Sequence, residues 1–283
     1  MSSPPAVARD LWRSSHPGPT CVVTALALAL GFAAGLEPWR LVVLTAAVFL
    51  GQLSVGISND AIDARRDRSV GRTDKPIARG DVTLRTAWAA ASVCLVLALV
   101  LSAPLGPGML IAHAVTLISA WAYNAGLKST PMSLLPFVVS FGIFPSLATL
   151  SASDPRVAAP WAWVAGAALG AAVHLTNVLP DLDADRRTGV RGLPHRMGAR
   201  ASAVIAAAGV VLGAVAVLLG PGGLGGVVSP LSWIFFGAVV LVAVAGVVVA
   251  LRDAPGRVVF RLVMLAALLL AAQLVATGGA LAA

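Results

Sequence analysis

The stretch that decides the fold class carries an Asn and two Asp residues at four-residue spacing, and it reads Asn59-Asp60-Ala61-Ile62-Asp63-Ala64-Arg65-Arg66-Asp67. The same spacing recurs later in the chain, at Asn177, Asp181 and Asp185. In both copies an Arg follows the last Asp and a Gly stands three residues further on, so the pattern N-x3-D-x3-D-R-x2-G occurs twice. Carboxylate and amide oxygens are ligands of hard divalent cations. The repeat therefore predicts a cation site built from two parts of the chain.

The residues around this repeat are unusually apolar. The chain is 58% hydrophobic, has a mean hydropathy of +0.90 and carries only 11% charged residues, whereas soluble domains carry about 25%. We therefore interpret the chain as an integral membrane protein whose main solvent is the lipid bilayer.

Apolar runs long enough to cross a bilayer occur in nine places, at about 20–36, 41–58, 86–104, 109–127, 133–151, 158–177, 201–219, 231–250 and 258–278. A segment in hydrocarbon has to satisfy its own backbone hydrogen bonds, so each run is expected to be a helix. The sequence thus predicts an all-α membrane protein with about nine transmembrane helices around a central cavity.

The basic residues indicate the orientation. With a cytoplasmic N-terminus and nine spans, all of the 20 Lys and Arg residues except Arg40 and Arg156 fall in inward-facing segments, as the positive-inside rule requires. Topology thus explains the net charge of +8, and no nucleic-acid partner is expected. The Ala-, Gly- and Val-rich composition and the pI near 11.1 suggest a bacterial inner membrane.

No long polar linker divides the chain, so residues 1–283 are expected to form a single transmembrane domain. Two motif loops stand out, at about 58–85 and 177–200, and they hold most of the 12 acidic residues. They follow the second and the sixth span on the cytoplasmic side. An offset of four spans predicts two pseudo-equivalent four-helix units plus one helix.

Residues four apart lie on one helical face, separated by about 6 Å along the axis. If the spans continue as helices, each motif forms a polar stripe, and the two stripes hold more than one divalent ion with a diphosphate between them. The predicted metal ligands are Asn59, Asp63, Asp67, Asn177, Asp181 and Asp185, of which the four Asp are also the predicted catalytic residues. The interleaved bases predicted to neutralise phosphate charge include Arg68, Arg72, Lys75, Arg186 and Arg191. The competing interpretation is a pair of solvated loops with ordinary salt bridges.

The quoted stretch resembles the N-D-x-x-D-x-x-x-D motif of the UbiA superfamily of intramembrane prenyltransferases, and Asp181-Leu182-Asp183-Ala184-Asp185 resembles its second motif, D-x-x-x-D. The resemblance implies Mg²⁺ as cofactor and an isoprenyl diphosphate as substrate, with Arg72 and Lys75 on the diphosphate. Many relatives also carry Y-x-x-x-K after the fourth helix. Here one extra residue separates Tyr123 from Lys128, so Lys128 is either a diphosphate ligand or a positive-inside anchor.

The resemblance further implies a small aromatic or quinone-like acceptor, or another lipophilic molecule. Tyr123 and Asn124 end the fourth span, and His174 precedes Asn177 by three residues. These three residues are candidates for the acceptor pocket, with interfacial or packing roles as the alternative.

Three other functions compete with prenyl transfer. A terpene cyclase of the same superfamily uses the same metal site without an acceptor. A CDP-alcohol phosphotransferase needs a Gly where Ala64 stands. A transporter places its ion sites near the bilayer midplane, whereas these acids lie at span ends. The sequence leaves open the prenyl chain length, the acceptor and the oligomeric state.

Overall fold

The computed structural model describes residues 4–223, 226–252, 256–278 and 281–282. The side chains of Asp183, Ala184 and Arg187 lie outside this description, as do their expected contributions to the second motif. The secondary structure of the described residues is helical apart from turns and one isolated antiparallel bridge between Ala158 and Ala282. This confirms the predicted all-α class.

The chain forms thirteen α-helices in the described residues. They are α1 Pro4–Ser14, α2 Pro17–Ala33, α3 Pro38–Ser69, α4 Pro76–Arg79, α5 Leu84–Ser102, α6 Pro107–Ala125, α7 Leu135–Thr149, α8 Pro160–Asn177, α9 Leu182–Arg187, α10 Leu193–Met197, α11 Ala199–Leu219, α12 Pro230–Arg252 and α13 Arg257–Thr277. Short 3-10 turns cover Ala103–Leu105, Leu127–Ser129, Pro131–Leu134 and Leu179–Asp181. Many helices begin at a proline, whose fixed φ and missing N–H suit the first helical position.

Each of the nine predicted segments lies on a helix, but nine membrane crossings are not confirmed. Seven of the described helices are long and apolar enough to span a bilayer, and the count reaches eight if the bent pair α1–α2 is one span. The fourth predicted segment, now α6, is not among them. It carries the polar side chains of His113, Tyr123 and Asn124, which lower its hydropathy.

The two acid motifs have different backbones. α3 is 32 residues long and continues beyond its apolar part to Ser69, so Asn59, Asp63 and Asp67 share one helical face as predicted. α8 instead ends at Asn177 and a 3-10 turn follows, Leu179–Asp181. The prediction of a second uninterrupted helical stripe is therefore wrong. Pro180 stands where the first motif has Ile62, and proline cannot donate the hydrogen bond that would continue the helix.

The long helices surround a central cavity, as predicted. α2 packs against α3 and α13, α7 packs against α6 and α8, and α8 packs against α11. The cavity has a volume of about 270 Å³. α5 and α12 are more peripheral, and they expose apolar side chains such as Val93, Val96 and Leu241. Exposed apolar surface of this kind is suited to lipid contact.

Close approach of α7 and α8 depends on glycine. A Cβ built on Gly170 would lie 2.5 Å from the carbonyl oxygen of Phe137 and 2.6 Å from Cβ of Phe141. A side chain at Gly166 would meet the carbonyl oxygen of Phe141. Small residues at such contacts let two membrane helices approach closely, which here places the Phe137 and Phe141 rings beside the cavity.

We expect Gly170→Val to lower the thermal midpoint in detergent, because overpacking a tight contact costs about 1–3 kcal/mol. Gly237→Val on α12 is the matched control, since its added Cβ would meet no atom within 4 Å. Both variants place a β-branched residue in a helix, so equal losses of stability would contradict the packing explanation.

Candidate active site

The first acid cluster lies on the last two turns of α3 and is largely buried. Asp63 is 8% exposed and Asp67 is 4% exposed. Two bases neutralise them. Lys128 Nζ donates to Asp63 Oδ1 at 2.6 Å, and Arg66 Nη2 donates to Asp63 Oδ2 at 2.9 Å. Arg66 Nε also lies 3.7 Å from Asp67 Oδ1. Without these bases, two charges this close in a low-dielectric site would repel each other strongly.

The second cluster faces the first across two arginines. Arg72, which follows the first motif, donates from Nη1 to Oδ1 of Asp181 at 3.0 Å. Arg66 of the first motif lies 3.9 Å from Oδ1 of Asp185. The second cluster is more open than the first, because the Asp181 side chain is 43% exposed. The structure therefore brings Asp63, Asp67, Asp181 and Asp185 to one site, although their residues are far apart in sequence.

The loop bases beside the site are themselves anchored. Arg72 donates from Nε and Nη2 to the carboxylate of Asp74 at 2.8 Å and 2.9 Å. This pairing lowers the pKa of the Asp74 carboxyl to about 2. Burial lowers the pKa of the Lys128 ammonium below its usual range, while the neighbouring Asp63 carboxylate opposes that change. Lys128 thus faces the acids, despite the extra residue in its loop.

The other predicted bases take different positions. Lys75 Nζ donates to Asp60 at 2.5 Å. Arg68 donates to the carbonyl oxygens of Ala78 and Ile77 at 2.9 Å and 3.2 Å, which ties α4 to the end of α3. Arg186 and Arg191 are exposed on the second loop. Their roles in binding diphosphate stay predictions.

A chain of amide hydrogen bonds orients Asn59. Asn124 Nδ2 donates to the Val55 carbonyl oxygen at 2.9 Å and to Ser58 Oγ at 3.1 Å. Its oxygen therefore faces Asn59, whose Nδ2 donates to it at 2.9 Å. The amide oxygen of Asn59 is consequently the atom left to bind a ligand. Asn124 is predicted to line the acceptor pocket, and its hydrogen bond to Asn59 gives it a second role, that of orienting the Asn59 amide.

The donor set of the site suits a hard cation, since it consists of carboxylate and amide oxygens. In the part of the chain that the structure describes, no three acidic, His or Cys side chains are close enough to hold one ion. The guanidinium of Arg66 lies within 4 Å of three of the motif acids. A cation bound among these acids would therefore have to take over the place of Arg66.

The cavity opens beside the acids and extends into the bundle. Its polar end is lined by Asn59, Asn177, Tyr123 and Asn124. Its walls carry aromatic and aliphatic side chains, among them Phe137, Phe141, Phe144, Leu169 and Met264. At the far end lie Trp161 and Leu281. Trp161 and Asn177 begin and end α8, so the cavity runs about 24 Å along that helix at about 1.5 Å per residue.

The far end is closed by the C-terminal segment. The carbonyl oxygen of Leu281 accepts a hydrogen bond from the Ala159 N–H at 2.7 Å, and Leu281 is only 3% exposed. The bridge between Ala158 and Ala282 lies beside this bond. Leu281 therefore forms part of the floor of the cavity, opposite the acids.

The three predicted acceptor-pocket residues divide into two groups. Tyr123 and Asn124 line the cavity. His174 lies behind Tyr123, with ring centroids 5.6 Å apart, and its Nε2 is 3.0 Å from Ser133 Oγ. His174 is 1% exposed and is not among the residues lining the cavity. The structure thus places His174 in packing around the pocket, and all three acceptor roles stay predictions.

Sequence reasoning missed two residues at the site, Arg66 and His195, and the contact of His16 with Asp60. Arg66 was not among the predicted bases, although it follows Asp63 by three residues and shares its helical face. The His195 side chain is 3% exposed and its Nε2 lies 3.2 Å from Asp185 Oδ2. His16 lies 3.0 Å from Asp60. No sequence signal joins His16 to Asp60, because their proximity comes from how α2 packs on α3.

These features define a membrane-embedded helical bundle with two acidic motifs at the mouth of an apolar cavity. Residues 20–269 match the UbiA prenyltransferase family. The chain belongs to this family, as the sequence motifs predicted, and it is an integral membrane protein.

Among individual relatives, a lycopene elongase/hydratase from Haloferax volcanii is 32% identical over 216 residues, which are 70% of this chain and 66% of that protein. The apo structure of a UbiA homologue from Aeropyrum pernix K1 has a TM-score of 0.74 at 19% identity, covering 90% of this chain and 97% of that one. A UbiA homologue from Archaeoglobus fulgidus bound to GPP and Mg²⁺ has a TM-score of 0.69 at 15% identity. The match covers 94% of this chain and 99% of that one. At these identities the two structures establish the fold alone.

Proposed function

We propose that the protein is a Mg²⁺-dependent intramembrane prenyltransferase that ionises an isoprenyl diphosphate and transfers the prenyl group to a small aromatic or otherwise lipophilic acceptor. The observation that carries this proposal is the meeting of both acid motifs at one polar end of an apolar cavity. A diphosphate head and a hydrocarbon tail need these two environments side by side. Membership of a prenyltransferase family supports the assignment, as does the A. fulgidus homologue bound to GPP and Mg²⁺.

The residues that would hold the metal are the six motif ligands, Asn59, Asp63, Asp67, Asn177, Asp181 and Asp185. When bound, Mg²⁺ withdraws electron density from diphosphate oxygens and so stabilises the charge that develops on them. The amide oxygen of Asn59 is oriented for this role by Asn124. A cation bound among these acids would replace Arg66 as their partner, and the Arg66 guanidinium would then be available to pair with the diphosphate.

The bases act on the leaving group. Arg72 and Lys128 already lie against Asp181 and Asp63, so a diphosphate held between the motifs would meet both. Charge-assisted hydrogen bonds from these groups stabilise the departing oxygen. The carbon–oxygen bond of the allylic diphosphate then breaks, and the electron pair leaves with the diphosphate.

The cavity protects the cation that results. Its walls exclude water, which would otherwise capture the cation as an alcohol. Phe137 and Phe141 stack with centroids 6.2 Å apart, and Tyr123 meets Phe137 edge-on at 5.0 Å. The electron-rich faces of such rings attract cations. The acceptor double bond attacks the cation within this chamber, and a proton is lost.

The choice between transfer and cyclisation is decided by product analysis. A relative named a lycopene elongase/hydratase favours a lipophilic acceptor over self-cyclisation. A cyclic product formed without an acceptor would instead identify a terpene cyclase.

We place the site at the cytoplasmic face of a bacterial inner membrane, with a cytoplasmic N-terminus, because the Lys and Arg residues follow the positive-inside rule.

We expect Asp63→Ala and Asp181→Ala each to reduce diphosphate release from a prenyl diphosphate to background, because each removes a carboxylate from one half of the metal site. The measurement is inorganic diphosphate released with Mg²⁺ by purified protein in detergent. Thermal midpoints near the wild-type value show that the variants are folded.

The matched control is Asp154→Ala, which removes a carboxylate paired only with Arg156 and 77% exposed. It should leave turnover unchanged. Turnover close to wild type in Asp63→Ala or Asp181→Ala would rule out the two-motif metal site.

Asn124→Ala should weaken Mg²⁺ binding. The Asn59 amide would lose the acceptor that fixes its orientation, and loss of an outer-shell partner typically costs about 10–100-fold in metal affinity. We expect the Mg²⁺ concentration for half-maximal diphosphate release to rise by that factor. Ser119→Ala on the same helix removes only a hydrogen bond to the Pro136 carbonyl oxygen. An unchanged Mg²⁺ titration in Asn124→Ala would show that Asn59 is not a ligand.

The floor residue Leu281 should set the length of prenyl chain that fits. Leu281→Ala deepens the cavity, so the preference should move to a diphosphate longer by one isoprene unit, and Leu281→Phe should move it to a shorter one. The measurement is kcat/KM across a series of prenyl diphosphates. Leu218→Ala is the control, because Leu218 is equally buried but does not line the cavity. An identical length profile in all variants would contradict a fixed floor.

A further inference from the structure

His16 has an unusual backbone at a bend in the chain. Its φ of 57° and ψ of 70° lie in the left-handed region, and no other non-glycine residue in the described part of the chain has a positive φ. It stands between α1 and α2, whose axes differ by 73°. Strain of this kind in a residue other than Gly persists only where the surroundings enforce it, and it clusters at functional sites.

The surroundings of the bend do enforce this conformation. Gly56 of α3 lies against the backbone of Ser15, and a side chain at Gly56 would collide with the Ser15 carbonyl group. Thr20 Oγ1 donates to the same carbonyl oxygen at 2.7 Å. On α1, the Trp12 ring contacts the Phe49 ring of α3, with centroids 6.2 Å apart. The bend is therefore held tightly against α3.

This arrangement aims the imidazole at a buried carboxylate. His16 Nε2 lies 3.0 Å from Oδ1 of Asp60, which is 2% exposed. Lys75 Nζ donates to the same oxygen at 2.5 Å and lies 3.3 Å from His16 Nε2. Because an ionised carboxylate only accepts hydrogen bonds, the contact with Asp60 is a hydrogen bond in the tautomer with the proton on Nε2, and that tautomer leaves the lone pair on Nδ1. The neighbouring Lys75 compensates the charge of Asp60.

His16 is also one of the residues around the cavity. His16 lines it together with Ser15 and Asn59, and the His16 side chain is 40% exposed. The remaining charged groups near the bend, Asp10 and Arg13 on α1, lie within 4.0 Å of each other. A histidine with one nitrogen held by a buried carboxylate and the other free is the arrangement of a general base.

We propose that His16 accepts the proton released after prenyl transfer, and that Asp60 is its positioning residue. This inference rests on the proposed function. In the step, the carbon–oxygen bond to diphosphate has already broken and its electron pair has left with the diphosphate, and the acceptor double bond then forms a carbon–carbon bond to the prenyl cation. The acceptor is then a cation, and it passes a proton to Nδ1 of His16 and restores its double bond. Asp60 stabilises the imidazolium that results.

The test separates ionisation from proton removal. His16→Asn keeps a side chain that tolerates the left-handed conformation but has no basic nitrogen. Diphosphate release and prenylated product are measured in the same reaction, with Mg²⁺, a prenyl diphosphate and a phenolic or polyene acceptor. We expect release to stay within a few-fold of wild type. The ratio of product to diphosphate should fall by about 10²–10⁴-fold, the typical effect of a general base, with prenyl alcohol appearing instead.

Two further measurements exclude a merely structural effect. In wild type the ratio of product to diphosphate should rise with pH, and in His16→Asn it should be flat. In His16→Gly, which suits the positive φ, added imidazole should restore product. Asp60→Asn should give an intermediate ratio with a shifted pH profile. Arg9→Gln, on the exposed side of α1, is the control and should resemble wild type.

A wild-type ratio and pH profile in His16→Asn would overturn the inference, and so would a lack of rescue by imidazole in a folded His16→Gly. Those results would leave the proposed function intact, because diphosphate would still be released. If wild type itself releases no diphosphate from any prenyl diphosphate with Mg²⁺, the proposed function fails and this inference fails with it.

Discussion

The site depends on the neutralisation of carboxylates that are buried at the end of a membrane bundle. Asp60, Asp63 and Asp67 lie on one helix and are each less than a tenth exposed. Charges in such a position are unstable unless they are paired. The pairing comes from Lys75 in the loop after α3, Lys128 in the loop after α6 and Arg66 on α3 itself. A cation bound there would therefore have to replace one of these bases as the partner of the acids.

The cavity and the acids are positioned by the same helices. α3 and α8 each line the cavity with one part; α3 carries the first acid motif at its end, and the second motif begins at the last residue of α8. Because both helices are fixed by close contacts, at Gly56 and at Gly170, the polar mouth and the apolar chamber cannot move independently. A substrate with a charged head group and a hydrocarbon tail would consequently be held at both ends. Bond cleavage at the head group would occur next to the apolar cavity.

Much of the architecture could be predicted from the sequence. The apolar runs determine the helices, because backbone groups in lipid have to be satisfied within each segment. The repeated motif indicated which residues form the site. The count of spans was less reliable, since α6 carries three polar side chains that face the interior. The two motifs share their spacing but not their backbone, because Pro180 interrupts the helical hydrogen bonding in the second motif.

The sequence by itself determined the helical class, the membrane environment and the chemical type of the site, because composition, periodicity and spacing are local properties. Only the tertiary structure decided which base pairs with which acid, how Asn124 orients Asn59, and that His16 meets Asp60 across the contact of α2 with α3. It also decided that Leu281 closes the cavity. These contacts join residues distant in the chain, and their existence depends on how closely helices approach, which no single segment encodes.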